Sequence, residues 1–177
     1  LGALNAAHAS ATAFANAAPN SRVGRIASYA GANAIAEAAA ADYEAAQAAL
    51  DATEPVTEET VAAAQAAYDQ AVADLAADPT NADLQQAVAD TETALNETTQ
   101  AQQDYAAAEA NVASLQEAAE TAEAEAWSAL EAAANKPVDE EVKGAVDDLL
   151  AMKGTFDPDT GTFVETDPAT DGATSTE

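Results

Sequence analysis

Residues 84–133 carry an unbroken three-four repeat of positions suited to a helix seam: Leu84, Ala87, Thr91, Ala94, Thr98, Ala101, Tyr105, Ala108, Val112, Leu115, Ala119, Ala122, Ala126, Ala129 and Ala133. Most are alanine, and no Gly or Pro interrupts them. A three-four spacing keeps one stripe facing a partner. The pattern therefore predicts a single helix over residues 82–134, roughly 80 Å long at 1.5 Å per residue. Alanine lets two backbones approach closely, but each one buries little apolar area, so such a seam gains stability through length.

The rest of the chain supplies partners for that helix. Residues 20 and 21, Asn and Ser, can cap a helix over 22–52 that contains Gly24 and Gly31, positions where another backbone can come close. The Thr-Glu-Pro-Val-Thr run at 53–57 breaks it. A third helix over 58–77 shows Val61, Ala64, Tyr68, Val72 and Leu75 on one face, and Asp-Pro-Thr-Asn at 78–81 is a strong turn. Asn135-Lys136-Pro137 ends the long helix, and a last helix over 138–152 has the heavier apolar face of Val138, Val142, Val146, Leu149 and Leu150.

The helices over 22–52 and 58–77 together match the long one in residue count. The economical layout is an antiparallel hairpin with those two in line beside the third and the tip at 78–81. Folding the second helix back on the first would give a three-helix section instead. The large apolar residues Val23, Ile26, Ile35, Trp127 and Leu130 gather at the other end with the last helix, which predicts a compact base. The expected fold is thus all-α: an elongated coiled-coil hairpin with an Ala-rich seam on a small helical base.

Both ends of the chain differ from this body. Residues 1–18 are small, uncharged and Ala-rich, with room for a short helix before Pro19. Residues 154–164 read as a short β-hairpin turning across 158–161, followed by an acidic, Thr-rich tail of the composition that normally stays extended and unfolded. The expected segments are an N-terminal docking piece at 1–21, the hairpin at 22–135, the base helix at 138–153, and the β-hairpin with tail at 154–177. A tail of this kind, if ordered, would need a neighbouring subunit to hold it.

Composition sharpens the picture. Alanine fills 55 of 177 positions and only 5% are aromatic, so the 49% hydrophobic fraction overstates the core. The net charge is −27 and unevenly spread. Residues 1–36 have no acid and carry Arg22 and Arg25, whereas 37–177 hold all 32 acids against three lysines, a net of −29. That body argues against nucleic acid or an anionic membrane surface as a partner. No apolar run approaches the roughly 20 residues needed to cross a bilayer, so membrane insertion is not expected. The sequence opens on Leu1 and its only Met is Met152, which fits a removed secretory leader and an extracellular or cell-surface location.

Candidate chemistry is thin. Cysteine is absent, and His8 is the only histidine, with Ser10 too close along the chain to join it in a triad. Carboxylate pairs such as Glu140-Glu141 and Asp147-Asp148 read as a solvated face rather than an acid-base pair in a shielded site. Asp157 and Asp159 have the spacing that opens a calcium loop, a weak calcium candidate without the third acid or distal Glu of an EF-hand. Asn96-Glu97-Thr98 matches a glycosylation acceptor in the middle of the long helix. Neither a catalytic residue nor a cofactor or metal site is expected.

The remaining signal is association. Leu1, Leu4 and Phe14 on the uncharged segment, Arg22 and Arg25 behind it, and Phe156 and Phe163 on the β-hairpin are the candidate subunit contacts. The leading expectation is a secreted, non-enzymatic structural subunit that forms a homo-oligomer, as an extracellular filament or surface layer, through its N-terminal segment. The alternative is a soluble acidic coiled-coil module that engages a partner protein or divalent cations. An enzyme with an unrecognised carboxylate site stands third.

Overall fold

A computed structural model describes residues 2–164. Leu1, one of the candidate contacts, and the Thr-rich tail lie outside those residues. The described chain is all-α, with long helices that pack against one another in a helical hairpin and one short antiparallel sheet near the C-terminal end. A 3-10 helix over Gly2–His8 leads to α1 (Ala11–Ala15), α2 (Arg22–Asp51), α3 (Glu58–Ala77), α4 (Ala82–Ala134) and α5 (Glu140–Ala151). Strands β1 (Thr155–Asp157) and β2 (Thr162–Val164) pair in the register Thr155 to Val164, Phe156 to Phe163 and Asp157 to Thr162.

Side-chain caps set the helix starts. The Ser10 hydroxyl accepts from Ala13 N at 3.2 Å and opens α1, so the N-terminal segment is two short helical pieces rather than one helix. Ser21 accepts from Gly24 N at 2.9 Å, Thr57 from Thr60 N at 3.2 Å, and Asp139 from Val142 N at 2.9 Å. Asn81 Oδ1 takes Asp83 N and Leu84 N, which starts the 53-residue α4 directly after the turn. Asn135, in the left-handed region at φ 57°, stops α4, a conformation that Asn tolerates better than most residues.

The chain divides into two compact units, one holding residues up to Asp42 and from Gln116 onward, the other Tyr43–Leu115. In the first unit a single core joins Leu4 and Ala7 of the 3-10 helix, Phe14 of α1, Ile26, Tyr29 and Ala30 of α2, Leu130 and its neighbours near the end of α4, and Val146 and Leu150 of α5. Ile35, expected in this base, is 52% exposed. It sits one residue off the α2 stripe that Ala36 and Ala39 occupy.

The second unit is thin. Each helix shows one covered stripe: Tyr43, Ala46 and Leu50 on α2, and Val61, Ala64, Tyr68, Ala71 and Leu75 on α3. The stripe on α3 keeps strict three-four spacing. Ala71, not the larger Val72, therefore takes the seam, and Val72 is left 42% exposed. On α4 the covered positions follow the expected seam except between Thr91 and Tyr105. There Leu95 and Gln102 are covered, and Ala94 and Ala101 face solvent. Alanines make shallow knobs, so the larger neighbour with more surface to cover takes the contact when both lie near the seam.

Candidate functional site

The described residues bring Phe14, Phe156 and Phe163 into one cluster, and these are the chain's three phenylalanines. Phe156 and Phe163 face each other across the β-hairpin, ring centroids 5.0 Å apart and edge to face, and Phe163 meets Phe14 edge to face at 5.3 Å. Lys153 Nζ lies 5.9 Å from the Phe14 centroid, at the outer reach of a cation–π contact. Gly31 makes room for the hairpin, since a Cβ there would stand 3.3 Å from the Phe156 ring. The hairpin thus fastens α1 to the first unit's core.

The turn that shapes this hairpin is built on the calcium candidate. Asp157 Oδ1 accepts from Asp159 N at 2.9 Å and Oδ2 from the Thr160 hydroxyl at 2.8 Å, while Gly161, at φ 66°, closes the turn through its N–H to Asp157 O. The Thr160 hydroxyl, then the Asp159 amide, hold the Asp157 carboxyl below its ordinary pKa. Among the described residues, no group of three or more His, Asp or Glu is arranged to hold a metal ion.

The other candidate residues divide by depth. Leu4 (1% exposed) and Phe14 (3%) are core residues of their own chain. Arg22 and Arg25 are exposed, and the one ion pair among the described residues is Lys143 with Asp147, at 2.8 Å. Arg25 reaches only the Asn20 carbonyl, at 3.4 Å. His8 is exposed and Ser10 is spent on its cap.

A polar network lies beside the core, and the linear pattern does not show that its two helices meet there. Tyr29, fully buried on α2, donates its hydroxyl to Asp147 of α5, 118 residues away. Lys143 Nζ donates to Asp147 at 2.8 Å and to Asn33 at 3.3 Å, and Asn33 donates to Glu37 at 2.7 Å. Burial, then the bond to Asp147, raise the Tyr29 phenol far above its ordinary pKa of 10.0, and the negative charges of Asp147 and Glu37 add to the effect. A phenol so held is a fixed donor, not an acid-base group at neutral pH. Tyr29 to Asn33, Asn33 to Glu37 and Lys143 to Asp147 are all i, i+4, and these spacings are the network's trace in the sequence.

An open cleft of about 320 Å³ adjoins the network, lined by Asn33, Glu37, Asp147 and Asp148 together with apolar residues such as Leu150 and Phe156. Carboxylates among apolar lining suit a cation on an apolar stem, as arginine and lysine provide. No helix among the described residues is long and apolar enough to cross a membrane. Comparison with family models, curated proteins and solved structures finds no match.

Proposed function

We propose that the protein is a secreted, non-enzymatic structural subunit that assembles with copies of itself, as an extracellular filament or surface layer, through its N-terminal end. The observation that carries this reading is the exposure of Arg22 and Arg25, with no carboxylate partner among the described residues, at the acid-free end of a chain whose remainder carries −29. Arginine forks pair with carboxylates in bidentate fashion, and in a chain this acidic a neighbouring copy offers many. A contact between one copy's N-terminal end and another's acidic body is heterologous, so it propagates unless its rotation closes a ring. The alanine seam fits the same role, since it builds reach with few large residues.

The acid-lined cleft favours a second reading, an acidic binding module for a basic partner protein. Calcium at Asp157 and Asp159 is no part of either reading, because among the described residues no third His, Asp or Glu joins them in a group that could hold a metal ion.

Electron microscopy of the purified chain, alongside Arg22→Glu/Arg25→Glu, separates the two. Filaments or sheets that vanish in the double reversal, with helicity unchanged by circular dichroism, are the expected result. Assembly that survives the reversal would overturn docking through the arginines. Monodisperse particles in both samples would favour the binding module.

A further inference from the structure

Assembly through the N-terminal end meets an obstacle in the fold: Leu4 and Phe14, two of the residues suited to gripping a neighbour, are already buried in their own base, as is Ala7 beside them. We infer that residues 2–18 form an exchangeable strap, which leaves its own base and docks into the same groove on a second copy. The inference rests on the self-assembly reading and supplies its contact.

Three observations carry it. First, among the described residues every hydrogen bond made by residues 2–18 stays within the segment or goes to the adjoining loop: Ala9 N to Ala6 O, Phe14 N to Ser10 O, Asn16 Nδ2 to Thr12 O and Ser21 N to Ala18 O are examples. What holds the strap to the base is apolar contact, chiefly Leu4, Ala7 and Phe14. Exchange therefore breaks no hydrogen bond between strap and base among the described residues, and exposes no buried polar side chain of the strap there. The receiving groove is identical, so the same contacts re-form. The net cost is the loss of free movement on association, which rising concentration offsets.

Second, the loop joining the strap to α2 is pressed onto the helix. An added Cβ at Gly24 would lie 2.1 Å from Ala18 O and 2.9 Å from Pro19 O, and both of those atoms are backbone. The closed position thus depends on a bare glycine, and anything that fills that space must lift the loop. Third, the strap carries no charged residue, and Arg22 and Arg25 follow it. It can cross to an acidic neighbour without adding repulsion, and it brings two cations with it.

The absence of cysteine permits a direct test in the full-length chain. Ala15→Cys sits beside Phe14 on the strap, and Val164→Cys beside Phe163 on the receiving hairpin; both positions are exposed. The two single variants are mixed and treated with a flexible bismaleimide. Exchange predicts a covalent heterodimer several-fold above that from Ala15→Cys mixed with Gln100→Cys, an exposed site in the second unit, which reports random collision. Adding Gly24→Ala to the strap donor should speed its formation. Should Gly24→Ala lose helicity, the same mixture in the native background, warmed to just below its melting temperature, gives the answer. A yield equal to the collision control in both backgrounds overturns the exchange. Filaments without cross-links would sink the strap while self-assembly stands. Cross-linked pairs without filaments would establish the strap and refute the filament.

Discussion

The first turns of α2 and its last turns belong to different kinds of packing. Near the start, Ile26 and Tyr29 are fully buried beside Leu130 of α4 and Val146 of α5, each 0% exposed. Toward the end, Tyr43, Ala46 and Leu50 are only partly covered, and the most buried residues of the second unit are Val112 at 8% and Ala71 at 9%. One unit is stabilised by depth and the other by repetition. A deep core concentrates its free energy in a few side chains, whereas a thin seam spreads it over many.

The largest expected effect tests that contrast directly. Leu130→Ala removes a fully buried side chain and should destabilise the protein by about 2–5 kcal/mol. Leu115→Ala, at a partly covered seam position, should cost about 1 kcal/mol, because less area leaves the protein interior and solvent fills the gap. Urea unfolding followed by circular dichroism measures both. Equal losses would mean that the seam is as tightly organised as the base, and the distinction would fall.

Enlarging a residue reverses the logic. Ala71→Leu forces a longer side chain into a seam built for alanine and should cost about 1–3 kcal/mol, whereas Val72→Leu on the exposed neighbour should stay within about 0.5 kcal/mol. Ala108→Leu, also on a covered position, belongs with the first. If Ala71→Leu raised the melting temperature, the seam would be loose enough to accept larger knobs.

Those two neighbours also show where a sequence is readable. The helix boundaries are legible because Pro, Asn and the capping hydroxyls punctuate the chain: Ser21 caps as read, Thr57 and Asn81 cap at the ends of the breaks read, and Asp139, read inside the last helix, instead caps its start at Glu140. The seam's register is less so. Choosing Val72 by hydrophobicity breaks the strict spacing that α3 obeys, yet on α4 the larger Leu95 displaces Ala94. Where every candidate is an alanine or its neighbour, a shift of one residue changes little buried area, and the partner's position decides. The aromatic contacts were visible as isolated phenylalanines in small, polar surroundings. That they meet one another within the chain is a tertiary fact, as is the bond from Tyr29 to Asp147 across 118 positions.

That bond gives the smallest and most specific test of the deep unit. Tyr29→Phe deletes the hydroxyl and leaves Asp147 with Lys143 as a partner, so a loss of about 1 kcal/mol is expected near neutral pH. The pH dependence identifies the cause. In the folded chain the phenol's pKa is raised, whereas unfolding returns it to the ordinary 10.0. Below that value both states keep the proton and the native chain has its full stability. Above it the unfolded state releases a proton that the folded state retains, so stability falls by about 1.4 kcal/mol per pH unit until the folded group also titrates. Tyr29→Phe lacks this loss. The advantage of the native chain should therefore shrink toward zero between about pH 9 and pH 11 in paired urea titrations. A constant gap across that range would mean that water reaches the hydroxyl in the folded state, and that the core beside Asp147 is no deeper than the seam.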